Sequence, residues 1–138
     1  MSEPAPIPRM TADEFIAWAM EQPETEHYEL AAGEVIAMAP ERVMQSRAKY
    51  HITQRLIAAI DDVGVDCEAL IGGPAVVVDP GTVYEPDVLV RCGTDLDGLM
   101  VRISDPVVVV EVLSRSMKGR IPGRNWRTIS GCRPSATI

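Results

Sequence analysis

The segment that most constrains the fold is DPVVVVEVLSRSMKGR, residues 105–120. Its four consecutive valines indicate burial on both faces of a strand, so we predict a central strand over residues 106–113. Because side chains alternate along a strand, Glu111 shares a face with Val107 and Val109, both expected to be buried. A carboxylate in that position is costly unless it is paired, protonated or bound to a metal ion.

Patterns elsewhere predict helices first and strands later. TADEFIAWAMEQ combines capping-box spacing with an i, i+3, i+4 apolar face, which predicts a helix over 11–22. YELAAGEVIAMAP predicts a hairpin around 31–33, and a long second helix is expected to end at Gly64. Further strands are predicted in DCEALIG, AVVVD and DVLVRC. This order fits an α+β or mixed α/β fold in which a helix packs against a curved sheet.

The composition is that of an ordinary globular chain. At 138 residues it forms one domain at most, with 46% hydrophobic and 24% charged residues. No apolar run reaches the length of a membrane span, and residues 1–10 lack the apolar region of a signal peptide. Cys67, Cys92 and Cys132 form no metal-like cluster with the two histidines. We therefore expect reduced thiols in a cytoplasmic protein with no membrane partner.

Charge is distributed unevenly along the chain. Residues 120–138 contain four of the 13 basic residues and no acid. The first 119 residues therefore hold the other nine basic residues and all 20 acids, a net charge of −11. DNA-binding modules are usually basic, so charge alone disfavours nucleic acid. Any contact with it would be local or would run through metal ions that offset the carboxylates.

Two carboxylates stand at the ends of apolar strands. Asp87 follows Pro86, whose missing N–H suits the point where strand pairing begins, and Glu111 follows the valines. The two acids would be neighbours if their strands pair. Converging carboxylate oxygens suit Mg²⁺ or Mn²⁺, which would activate water and neutralise a phosphate during hydrolysis.

Structural roles for both acids stay open at this point, because ion pairs also place carboxylates in unusual positions. Asp87 could be a turn residue, with Glu85 beside it in solvent. Glu111 could pair with a basic residue instead of a metal ion. The basic candidates are Arg91, Arg102 and Lys118.

Four segments in colinear order resemble a known family. MTADEFIAW, YELAAGEVIAMAPER, VYEPDVLVRCG and DPVVVVEVLSRSMKGR are similar to the Uma-type restriction endonucleases of bacteria, members of the PD-(D/E)XK nuclease superfamily. The likeness covers residues 8–120. It implies a restriction-endonuclease-like fold, a phosphodiesterase site that uses Mg²⁺ or Mn²⁺, and a DNA substrate.

Residue by residue, the resemblance assigns catalysis and metal binding to Asp87 and Glu111, the family's PD aspartate and second acid. The backbone carbonyl of Val112 is a further candidate metal ligand. The wider superfamily has a lysine two residues after the second acid, where this chain has Leu113. In the resembling family that lysine lies on a following helix, in a pattern like ExLSxST…D…K…Y. A histidine of the family's long helix corresponds to Gln45 here.

The D…K…Y pattern that is missing from this chain can be encoded in another reading frame of its DNA. If the DNA after Arg120 is read one base earlier, the 18 codon junctions admit DTG-x-KLEDYFRLPPERHY without a stop codon. The leucine at the junction of Asn125 and Trp126 is the only forced residue. We therefore infer a one-base deletion or an equivalent error near codons 117–120, which leaves residues 121–138 out of frame.

Together these patterns predict a restriction-endonuclease-like α/β (α+β) domain over residues 1–120, with a mixed sheet and packed helices, that is C-terminally truncated. Residues 121–138 are expected to form a disordered, out-of-frame tail. The expected function is a metal-dependent DNA endonuclease impaired by loss of its lysine. Lys118 is a poor replacement, because catalytic geometry tolerates little displacement. The alternative is a non-catalytic interaction domain or inactive remnant of the same fold, and a homodimer is left open.

Sequencing the genomic DNA across codons 115–138 tests the frame hypothesis. We expect one base too few near codons 117–120 and, in the restored frame, a helix-forming segment with a lysine after Glu111. If no alternate frame encodes such a lysine, the hypothesis is wrong.

Overall fold

The computed structural model describes residues 9–94 and 96–113, which contain two helices and eight strands. The helices are α1 (Ala12–Met20) and α2 (Val43–Val63). The strands are β1 (Tyr28–Ala31), β2 (Glu34–Ala37), β3 (Cys67–Ile71), β4 (Ala75–Asp79), β5 (Thr82–Tyr84), β6 (Val88–Cys92), β7 (Arg102–Ile103) and β8 (Val108–Val110). A five-stranded sheet has the order β2-β1-β5-β4-β7, and a three-stranded sheet has the order β3-β6-β8. Since β4 and β7 run parallel and the other pairs antiparallel, the mixed α+β class is confirmed.

Helix α1 packs on the larger sheet. It starts as the capping pattern predicts, with the Thr11 side chain accepting a hydrogen bond from the Glu14 N–H at 3.3 Å. Phe15 then packs with Leu30 of β1 and Val83 of β5 in a buried cluster. Burial of side chains this large is worth roughly 1.5–3 kcal/mol each. The cluster therefore anchors α1 to the sheet.

A second buried cluster joins the two sheets. Val76 of β4 and Ile103 of β7 come from the larger sheet, and Leu89 of β6 and Val109 of β8 from the smaller one. All four side chains are at most 6% exposed. The valine segment thus supplies part of the core between the sheets.

Helix α2 packs against β3 and ends where predicted, at Gly64, whose φ of 74° is left-handed. Three polar residues spaced four apart, Gln45, Lys49 and Thr53, are withdrawn from solvent on this helix. The Thr53 hydroxyl donates to the Lys49 carbonyl at 2.7 Å. This spacing places one polar face of α2 over the smaller sheet.

The valine segment departs from its prediction in two respects. Strand β8 has three residues and, among the described residues, is an outer strand, with β6 central in the sheet. Val107 is 38% exposed, whereas Val109 is 6% exposed. The chain bends at Val107 before regular pairing begins, so the alternation that would bury it does not extend that far.

The expectation of reduced thiols is wrong for Cys67 and Cys92. These residues are partners in the β3–β6 register and are joined by a disulfide. They lie 25 residues apart in the chain, so the sequence gives no sign of their proximity. Cys132 lies outside the described residues. The disulfide links the two strands at the end of the sheet opposite Asp87.

Candidate active site

Asp87 and Glu111 are brought together by the pairing of β6 with β8. Val88, the first residue of β6, is the partner of Val110, the last residue of β8. Asp87 directly precedes Val88 and Glu111 directly follows Val110, so the two acids lie at the same end of the paired strands. The condition on which the predicted acid pair depends, pairing of the two strands, is met.

Three hydrogen bonds fix Asp87. Its N–H donates to the Val110 carbonyl at 3.1 Å, and its own carbonyl accepts from the Gly72 N–H at 2.8 Å. Its carboxylate oxygen Oδ2 accepts from the Val112 N–H at 2.6 Å. Pro86, directly before it, is fully buried. The carboxylate is therefore partly buried and held by the backbone, which distinguishes it from a solvated turn acid.

Helix α2 approaches Val112 and Gly72, the two residues whose N–H groups donate hydrogen bonds to Asp87. Gln45 Nε2 donates to the Val112 carbonyl at 3.5 Å. One turn later, Lys49 Nζ lies 3.8 Å from the position that a Cβ on Gly72 would take. Lys49 also forms an ion pair with Glu41 at 2.9 Å, and its side chain is 18% exposed. The inward polar face of α2 therefore covers the end of the sheet that carries the acids.

The groups that could hold a cation here are all oxygens. The carboxylates of Asp87 and Glu111 and the carbonyl of Val112 are ligands that hard divalent cations prefer. A carbonyl oxygen has two lone pairs, so the contact with Gln45 leaves capacity at Val112. Within the described part of the chain, no three His, Cys, Asp or Glu side chains form a metal-binding group. A cation here would keep several waters, as Mg²⁺ usually does.

Glu85, for which a solvated position was one open alternative, is largely buried, with a side chain 17% exposed. His27 Nδ1 lies 2.9 Å from its Oε1, and the Gly73 N–H donates to its carboxylate. Burial raises the pKa of Glu85, while His27, Gly73 and Lys49 act in the opposite direction. The solvated assignment is wrong because His27 and Gly73, both distant in sequence, cover the side chain.

Glu29 is a second acid that sequence reasoning missed. It lies in β1 and is 4% exposed, and its Oε2 accepts a hydrogen bond from the Glu85 N–H at 3.0 Å. The available signal was its position within a predicted strand, directly before the apolar Leu30. Glu29 thus anchors the chain two residues before Asp87.

Two of the basic residues considered as partners of the second acid form ion pairs elsewhere. Arg91 contacts Asp105 at 3.3 Å, and Arg102 contacts Asp13 at 2.8 Å. Lys118 and the segment after it, including the predicted tail, lie outside the described residues.

Comparison with known families identifies the family of this chain. The sequence profile of the Uma2 family, described as "Putative restriction endonuclease", matches residues 12–120. The chain belongs to this family. Uma2 proteins are part of the restriction-endonuclease-like PD-(D/E)XK superfamily, as the sequence resemblance predicts. The Uma2 match includes both Asp87 and Glu111.

No curated protein matches the chain. Among the residues that the structure describes, neither helix is both long and apolar enough to cross a bilayer.

The contact between His27 and Glu85 predicts a change in ionisation. Because His27 lowers the pKa of Glu85, His27→Ala should raise that pKa further above its ordinary value of 4.5. NMR titration of the Glu85 side-chain carboxyl carbon measures it. His51→Ala, which removes an exposed histidine of α2, is the matched control and should leave the pKa unchanged. An unchanged or lower pKa in His27→Ala would contradict the contact.

The raised pKa of Glu85 in the unaltered protein makes its stability depend on pH. A carboxyl group whose folded pKa is raised contributes stability that is fully present below its unfolded pKa. That contribution is lost as the pH rises from about 4.5 through the raised folded value.

Proposed function

We propose that this chain is, by descent, a metal-dependent endonuclease that hydrolyses phosphodiester bonds in DNA. The observation that carries the proposal is the strand pairing that places Asp87 and Glu111 at the same end of β6 and β8 in a chain of the Uma2 family. The hydrogen bonds that hold Asp87 and the oxygen-rich ligand set support it. Mg²⁺ or Mn²⁺ is the proposed cofactor.

Asp87, Glu111 and the carbonyl of Val112 are the groups proposed to hold the cation. When bound, such a cation supplies activation of water and neutralises charge on the phosphate. The chain itself supplies positioning. The Val112 N–H fixes one oxygen of Asp87, and Gln45 contacts the Val112 carbonyl from α2. Ligands held in this way lose little freedom when an ion binds.

Contact with DNA has to be local in this chain. The first 119 residues carry a net charge of −11, which repels phosphates over most of the surface. A bound cation and Lys49, whose Nζ lies beside Gly72, would offset that charge next to Asp87. We therefore propose that DNA approaches the end of the sheet where α2 covers β6 and β8.

We further propose that catalysis is impaired in this chain. Leu113 stands where the wider superfamily has its lysine, and the D…K…Y helix of the family is absent from the written sequence. The Uma2 match ends at residue 120, the position after which the composition changes, and this supports the frameshift. A frame-restored chain would regain the lysine-bearing helix.

A non-catalytic interaction domain is the second candidate. The acidic surface and the absence of the lysine favour it for the chain as written. In that case Asp87 and Glu111 would be structural. Their removal would lower stability, and the chain would hydrolyse no DNA with or without them.

A plasmid-nicking assay with Mg²⁺ tests the endonuclease proposal. We expect the frame-restored chain to nick DNA and the written chain to nick far more slowly. In the restored chain, Asp87→Asn should lower the rate by roughly 100-fold or more, the scale of one electrostatic contact to developing charge. The new amide retains an oxygen that can accept from the Val112 N–H, so the fold should be kept.

Asp97→Asn is the matched control for this assay. The Asp97 carboxylate also accepts a backbone hydrogen bond, from the Leu99 N–H at 2.8 Å, but lies in an exposed loop. It should nick as fast as the unaltered restored chain. If the restored chain nicks no faster than its Asp87→Asn variant, the assignment fails.

A further inference from the structure

A cavity of about 220 Å³ lies between α1 and the ends of β1, β4 and β5, and its lining includes Glu85, two residues before Asp87. Its volume is below the roughly 300–1,000 Å³ of pockets that hold drug-sized ligands, so it suits a smaller group. Its walls come from five segments of the chain. The lining residues include Phe15, Ala19, His27, Tyr28, Val83 and Glu85.

The floor and one wall of this cavity are apolar and aromatic. Phe15 and Val83 are 3% and 1% exposed and belong to the buried cluster under α1. Tyr28 and Tyr84 also line the cavity. Aromatic rings beside a buried floor provide flat surfaces on which a planar group can stack.

The opposite wall is polar. It carries the contact between His27 and Glu85, with His27 at the solvent side and Glu85 17% exposed. The Gly73 N–H donates to the Glu85 carboxylate and orients it. A carboxylate accepts several hydrogen bonds, so Glu85 can also accept from a ligand that carries N–H groups.

The cavity and the acid pair are linked through one turn. Gly72 donates to the carbonyl of Asp87, and the next residue, Gly73, donates to Glu85. Lys49 Nζ lies beside this turn, 3.8 Å from the Cβ position of Gly72, and interacts electrostatically with Glu85. A cation therefore lies beside the turn whose two residues contact Asp87 and Glu85.

We propose that the cavity binds one nucleobase of the DNA strand, next to the phosphate at the acid pair, with Lys49 contacting the intervening phosphate. This inference rests on the proposed endonuclease function and adds a specificity site to it. The base stacks on the aromatic wall and presents its edge to Glu85. Such a base leaves its stack, as bases read by an enclosed pocket do.

The polar wall gives the site a preference. A carboxylate accepts from the exocyclic amino group of cytosine. Thymine carries a carbonyl at that position, and its N3–H stands between two carbonyl oxygens that a carboxylate repels. The site should therefore bind dCMP more tightly than TMP. Replacing Glu85 by Gln supplies both a donor and an acceptor, so the preference should be lost in that variant.

Calorimetric titration of dCMP, TMP and inorganic phosphate into the full chain, without divalent metal, tests the site. Ala19→Phe fills the cavity from α1 and should weaken dCMP binding by at least ~10-fold. Ala17→Phe makes the same change at an exposed position of α1 that does not line the cavity, and should change binding less than ~2-fold. Glu85→Gln should bind dCMP and TMP equally. Thermal unfolding of each variant confirms that it is folded.

Three results would overturn the site. These are absence of dCMP binding beyond that of phosphate, equal binding of dCMP and TMP by the unaltered chain, and equal dCMP binding by Ala19→Phe and Ala17→Phe. If Ala19→Phe does not fold, the dCMP-over-TMP preference of Glu85→Gln, compared with that of the unaltered chain, decides whether the cavity binds the base. Base binding with this pattern in a chain whose frame-restored form does not nick DNA would support the site and remove the endonuclease proposal. Asp87-dependent nicking without base binding would support the endonuclease proposal and remove the base site.

Discussion

The antiparallel pairing of β6 with β8 is the interaction on which the rest of the site depends. It places Asp87 and Glu111 at the same end of the two strands, directly beyond the last ladder pair, Val88 with Val110. It also brings the Val112 N–H to Oδ2 of Asp87. A one-residue slip would turn every side chain of one strand to the other face and separate the acids. The register is fixed by burial, since Val109 of β8 and Leu89 of β6 both lie in the core between the sheets.

Sequence patterns predicted the features whose signals lie within a few neighbouring residues. The helix start at Thr11, the helix end at Gly64 and the hairpin of β1 and β2 each follow from local cap or turn chemistry. Both acids were identified because a carboxylate beside an apolar strand is costly without a partner. Their proximity was conditional on strand pairing, which local patterns do not encode.

Features that depend on distant contacts were missed. Glu85 looked solvated because His27, which covers it, is 58 residues away in the chain. The Cys67–Cys92 disulfide depends on the register of β3 with β6, and the cavity beside α1 depends on the packing of five separate segments. The three residues of β5 and the two of β7 are too few to show a period of two. Each of these features appears only when the sheets are assembled.

We propose that Asp87 and Glu111 form one divalent-cation site. Mn²⁺ binding tests this proposal, because binding requires neither the lysine nor catalysis. Free Mn²⁺ can be followed by electron paramagnetic resonance during titration of the full chain as written. We expect Asp87→Asn and Glu111→Gln each to weaken Mn²⁺ binding by at least ~10-fold. Glu34→Gln, which neutralises an exposed acid of β2, should retain it. Equal Mn²⁺ binding by Glu111→Gln and Glu34→Gln, or no Mn²⁺ binding by the unaltered chain, would contradict a cation site at Asp87 and Glu111.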